Sequence, residues 1–191
     1  LAATAAAGVA TFIDLAYLAS ADGEAFTLTF DDETSGVGGD LSTVSTGELS
    51  ADVVATQLVL TQPPADNRVA DSADELVSGL VFASQPVVTA QDGQSVTDAD
   101  FADPVSAVIS QGPGTLSGGT TVTAVAGVAT FSDLAYSATA DGEALHLQFD
   151  DVLTGSGGDL AAVTTEELTA DAVATQLIFT QTPADNRVVD A

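Results

Sequence analysis

The chain has 191 residues, 46% of them apolar, with no Cys, Met or Trp, and its 28 acidic residues stand against two basic ones for a formal charge of −26. Such a balance excludes nucleic acid, whose phosphates need Lys and Arg to displace counterions, and it disfavours anionic membrane surfaces for the same reason. No apolar run approaches the roughly 20 residues of a membrane-spanning helix, and with no Cys there are neither disulfides nor thiol chemistry.

In chain order, the local pattern is β. "GVATFIDLAY" from Gly8 leads to a turn at Ala21-Asp22-Gly23-Glu24, after which Phe26, Leu28 and Phe30 alternate with Thr27 and Thr29. A period of two buries one face of a strand and wets the other. Asp31-Asp32 and Asp40 flank a glycine-bearing loop. "ATQLVLTQPPADNRV" from Ala55 holds a short apolar strand, Pro and a polar turn, as expected of the first strand of a sandwich. "DSADELVSG" near Asp71 contains helix formers, so a helical turn is an option there. "PVSAVIS" alternates through Val105, Ala107 and Ile109, and "TTVTAVAGVATF" reads as two short strands hinged at Ala126-Gly127. In "EALHLQFDD" the inward residues are Leu145, Leu147 and Phe149, with His146 and Gln148 outward. "AAVTTEELTADAV" from Ala161 again mixes helix formers with Thr and Val. Turns fall at "AQDGQS", "QGPG", "TADGE" and "TGSGGD".

The chain writes itself twice. "GVATFSDLAY" begins at Gly127, 119 positions after its first copy at Gly8, and "PADNRV" recurs from Pro64 to Pro183 at the same offset. Roughly two-thirds of the paired positions are identical, far above what a shared fold alone leaves. Residues 1–72 match 120–191, while 73–119 occur once, and neither end carries an initiator Met or a leader. The expectation is a piece of a longer tandem array: 1–55 the C-terminal part of one repeat, 56–174 a complete repeat, and 175–191 the first strand of the next. A subunit whose tail completes the head of another copy is less economical, because that joint still lacks a counterpart of 73–119. Near-absent linkers favour a stiff rod over loose beads.

The stretch from Leu80 to Tyr136 resembles the bacterial immunoglobulin-like repeats of very large secreted and cell-surface proteins. Its most recognisable part is "TLSG...TVTAV.GVATFSDL" at Thr115 to Leu134, and the "QLVLTQPPAD" opening at Gln57 fits the same pattern. The resemblance implies an all-β fold of tandem immunoglobulin-like antiparallel β-sandwich domains with a period of about 119 residues, and an extracellular or cell-surface setting. It says little about biochemical role, since such repeats serve as stalks, spacers, adhesins and filament walls. The chain departs from the pattern in having Ala126-Gly127 where Asn-Gly is common, and in an insertion at roughly Asp71 to Gly79.

Catalytic materials are sparse. His146 is the one histidine, its counterpart is Thr27, and without Cys, Lys or a second His neither nucleophilic triads nor transition-metal sites can be assembled. No Lys amine is available for a Lys–Asn isopeptide crosslink. Carboxylates are the abundant group. Asp31, Asp32 and Asp40, repeated as Asp150, Asp151 and Asp159, are candidate ligands of a structural calcium, which takes six to eight oxygens, and Asp98, Asp100 and Asp103 lie in the once-seen "TDADFADP". The alternative is a plain acidic, solvated surface that suits saline surroundings. Arg68 and Arg187 occupy one repeat position and are candidates for inter-domain ion pairs.

The expected function is a non-enzymatic structural repeat of a long extracellular bacterial filament or matrix fibre, whose partners are neighbouring repeats and other copies of itself. The alternative is the stalk of a large adhesin whose ligand-binding head lies outside this sequence. A carbohydrate-binding module fits less well, because aromatic residues are 5% of the chain and fall mostly at inward positions.

Overall fold

The computed structural model describes residues 1–32, 39–65, 75–151, 158–174 and 176–181. Among these there is no helix. Residues 1–55 carry four short strands, β1 (Glu24–Phe26), β2 (Thr29–Phe30), β3 (Val44–Ser45) and β4 (Leu49–Ala51). The next span begins with β5 (Gln57–Gln62), β6 (Glu75–Val77), β7 (Val87–Gln91) and β8 (Pro104–Gln111). It continues with β9 (Thr115–Ser117), β10 (Thr121–Thr123), β11 (Val128–Thr130) and β12 (Ala135–Ser137), and closes with β13 (Glu143–Asp151), β14 (Val163–Thr164) and β15 (Leu168–Asp171).

Two sheets of residues 56–174 share one core. The larger runs β10-β8-β13-β15-β6, with β14 also on β13, and the smaller runs β11-β7-β5. Their inward residues meet in a single cluster that includes Leu58, Val88, Val105, Phe131, Leu147 and Phe149. The Phe131 and Phe149 rings, 5.3 Å apart and tilted, pack one sheet on the other. The arrangement fits a β-sandwich.

Strict alternation builds the central strand. Along β13, Leu145, Leu147 and Phe149 are fully buried while His146 and Gln148 are only half-buried, so the period of two in the sequence becomes the two faces of the sheet. Antiparallel pairing with β8 runs from His146 opposite Gln111 to Asp151 opposite Val105, with a bulge between His146 and Leu147. The hinge at Ala126-Gly127 is a tight turn, closed by reciprocal Val125 and Val128 backbone bonds of 2.9 and 3.1 Å. Ala126 and Gly127 are both left-handed, at φ 51° and 78°. A Cβ on Gly127 would overlap the Asp98 carbonyl, so this position accepts glycine on steric as well as conformational grounds.

Two features depart from expectation. The stretches read as helical options are strands: β6 lies in the first, whose residues 71–74 fall outside the described set, and β14 and β15 lie in the second. In β15, Ala170 is buried and Leu168 packs against the core, an alternation that tertiary burial enforces over weak helix propensity. Nor is the pairing wholly antiparallel. β6 runs parallel to β15, with Thr169, Ala170 and Asp171 opposite Glu75, Leu76 and Val77.

Pairing in 1–55 keeps the register found 119 positions later. Glu24, Ala25 and Phe26 face Ala51, Ser50 and Leu49, just as Glu143, Ala144 and Leu145 face Ala170, Thr169 and Leu168. Phe12 and Phe30 also keep the 5.3 Å ring contact of Phe131 and Phe149. Phe26 and Phe30 are nevertheless only half-buried; in 56–174 the strand beside β13, β8, and the strand of the facing sheet, β7, both come from the segment that occurs once. Residues 176–181 repeat the β5 sequence without strand pairing, and Leu177, Ile178 and Phe179 stand exposed.

Candidate functional site

Both predicted Asp triads converge. β13 ends in Asp150 and Asp151, and the chain returns at Asp159 so that one oxygen from each of the three carboxylates lies within 4.8 Å of the others. Asp31, Asp32 and Asp40 form the same cluster. In each, a backbone amide just past the loop holds the middle carboxylate: Leu160 donates to Asp151 Oδ1 at 3.2 Å, and Leu41 to Asp32 Oδ1 at 2.8 Å. The copies differ in burial. Asp151 is 8% exposed and its Oδ2 has no hydrogen-bond partner, whereas Asp32 is half-buried between two exposed acids. Burial pushes the Asp151 carboxyl above its ordinary range, and the charges of Asp150 and Asp159 push it the same way. Calcium is compatible with such all-carboxylate donors.

A third cluster was not legible in the sequence. Asp22, Asp52 and Asp100 bring carboxylate oxygens within 4.8 Å of one another at the joint between residues 1–55 and 56–174. There Asp22 accepts from Val53 N and from Ala99 N, both at 3.0 Å, so one side chain grips its own exit segment and the next span. The Val53 amide is the chief cause of its lowered pKa.

Asp98 completes the joint from the other side. It is 6% exposed; Oδ2 accepts from Ala55 N at 2.9 Å, and Oδ1 from Asp100 N and Phe101 N at 3.0 Å each. Thr56 N donates to the Gln91 carbonyl, and Val53 and Ala55 are buried. Residues 52–56 are thus a fixed seam. At the far end of 56–174, Asp141 accepts from Ala172 N at 3.1 Å, the counterpart of the bond from Val53 to Asp22.

Of the remaining expected residues, Asp103 is buried within the core-facing loop ahead of β8. His146 donates from Nδ1 to the Thr165 carbonyl at 3.0 Å, which binds β13 to the segment after β14. Arg68 and Arg187 lie outside the described residues. A depression of about 690 Å³ is lined by Pro63, Pro64, Leu76, Glu166 and Leu168 among others. The chain matches no family model, no curated protein and no solved structure.

Proposed function

We propose that the chain is a non-enzymatic structural segment of a long extracellular bacterial protein, a stack of tandem immunoglobulin-like sandwiches at a 119-residue period. One observation carries this reading. The seam at 52–56 has its amides taken by carboxylates from both sides, Asp22 before it and Asp98 after it, so successive units are joined by a fixed connection. A segment made to transmit force or hold distance needs such joints, and an enzyme or a lone binding module does not. The acidic surface keeps neighbouring rods apart where salt does not screen it.

The first form of the proposal is a filament or matrix fibre in which copies also associate; the second is the stalk of an adhesin. What supports the stalk is the surface of 56–174, where, among the described residues, the exposed large apolar side chains are Leu80, Val81, Val108, Val125 and Val173. Size-exclusion light scattering in high salt, with calcium and then with chelator, separates the two. Concentration-dependent polymers support the fibre, and a monomer throughout supports the stalk. Small-angle scattering on the same samples tests the joint: an ensemble of bent and straight forms would overturn the stiff seam common to both.

A further inference from the structure

The carboxylate of Asp151 is a structural anomaly. Its residue is more than nine-tenths buried, its Oδ1 accepts from Leu160 N and its Oδ2 has no hydrogen-bond partner, while Asp150 and Asp159 bring two more carboxylates to within 4.8 Å. A buried carboxylate left half-satisfied is costly, and one placed against two like charges more so. The two basic residues of the chain lie outside the described set, and no described cation neutralises the group. Oxygens bound to one calcium at about 2.3–2.6 Å sit no more than about 5 Å apart, which is the spacing of this cluster. We propose that Asp150, Asp151 and Asp159 form a calcium site that closes the end of β13 onto the segment beginning at Leu160.

The three carboxylates supply up to six oxygens and water the rest, giving a hard, all-oxygen environment with no nitrogen or sulfur to favour a transition metal. The ion supplies the partner that Asp151 Oδ2 lacks and offsets the repulsion that Asp150 and Asp159 impose on it. Asp31, Asp32 and Asp40 form a weaker second site, because all three are more open to water than Asp151 and their charges are better solvated without an ion. Affinity in the range of extracellular modules, a dissociation constant of about 0.1–1 mM, is expected. The site is independent of how copies associate: a monomer that binds calcium here upholds it while removing the fibre.

The test is isothermal titration of the 191-residue chain with calcium chloride, paired with thermal unfolding in calcium, in chelator and in magnesium. Saturable binding and a raised Tm in calcium are expected, with a smaller rise in magnesium. The Asp150→Asn/Asp159→Asn chain, altered only outside the core, should fold with an unchanged circular dichroism spectrum and bind at least about tenfold more weakly at the tighter site. Asp151→Asn should lose the same binding while raising Tm in chelator, since it removes the buried charge. No saturable heat up to about 10 mM calcium, or full binding retained in Asp150→Asn/Asp159→Asn, overturns the proposal. Binding abolished instead by Asp22→Asn/Asp52→Asn also overturns it, by placing the ion at the joint.

Discussion

The Tyr136 hydroxyl donates to the Glu143 carboxylate beneath the turn that precedes β13, and Tyr17 makes the same bond to Glu24. Tyr136 is fully buried and its oxygen also accepts from Gly114 N at 2.9 Å, where a Cβ on Gly114 would overlap the phenol ring. The other oxygen of Glu143 accepts from Thr139 N and Oγ1 and from Ala140 N. Tyr136→Phe removes the donor to Glu143 and the acceptor for Gly114 without changing the packing. It should cost about 1–2 kcal/mol, read as a lower urea midpoint at constant slope. Tyr17→Phe, at a site open to solvent, should cost less.

Acid should expose the same bond. Hydrogen bonds from Thr139 and Tyr136 hold Glu143 down at about 2, against an ordinary value of 4.5, and Glu24 is held at about 2 by Tyr17 and Ser20. Their contribution is complete above about pH 4.5 and is lost as pH falls toward 2, because over that interval the unfolded chain takes protons that the folded chain refuses. Asp151 works in the opposite sense. With its folded value raised above 3.8, its contribution is full below that and declines as pH rises through the raised value. Urea midpoints between pH 7 and pH 2 should therefore fall less steeply for Glu143→Gln than for the parent chain.

The joint should fail through Asp98. Asp98→Ala leaves the amides of Ala55, Asp100 and Phe101 without their shared acceptor, at a cost of about 3 kcal/mol or more. Asp22→Asn weakens the bond to Val53 and the one that crosses to Ala99, and should leave the core of 56–174 intact. Its expected readout is a larger spread of angles between 1–55 and 56–174 in small-angle scattering with no change in the thermal midpoint of 56–174; an unchanged spread would argue against the seam.

The turn before β11 should reward a single substitution. Ala126 is exposed and left-handed at φ 51°, a conformation that disfavours a Cβ and that Asn adopts more readily. Ala126→Asn should stabilise by up to about 1 kcal/mol, measured by thermal unfolding. Gly127→Ala should destabilise by more than about 1 kcal/mol, since the added methyl meets the Asp98 backbone in a strained conformation.

What was legible in the sequence is what alternates locally. Leu145, Leu147 and Phe149 announce a strand by themselves, and the Asp triads could be named because loop closure brings positions nine apart together. Asp22 and Asp98 could not be read this way. Each acts on an amide more than 30 residues away, and no local pattern records which amide that is. By sequence Asp98 is a possible cation ligand, yet its oxygens are taken by three backbone donors. The mixed composition after Ala161 misleads for a related reason: the partner that makes β15 a strand on its outer side is β6, over 90 residues earlier.

The parallel pairing of β6 with β15 sets how a unit meets tension. These strands lie near its two ends in sequence and run the same way, so a pull reaching them from opposite termini slides one along the other. Their ladder, extended by the bond from Ser78 N to the Asp171 carbonyl at 2.8 Å, is then loaded in shear, and its bonds must yield together where a hairpin would unzip one at a time.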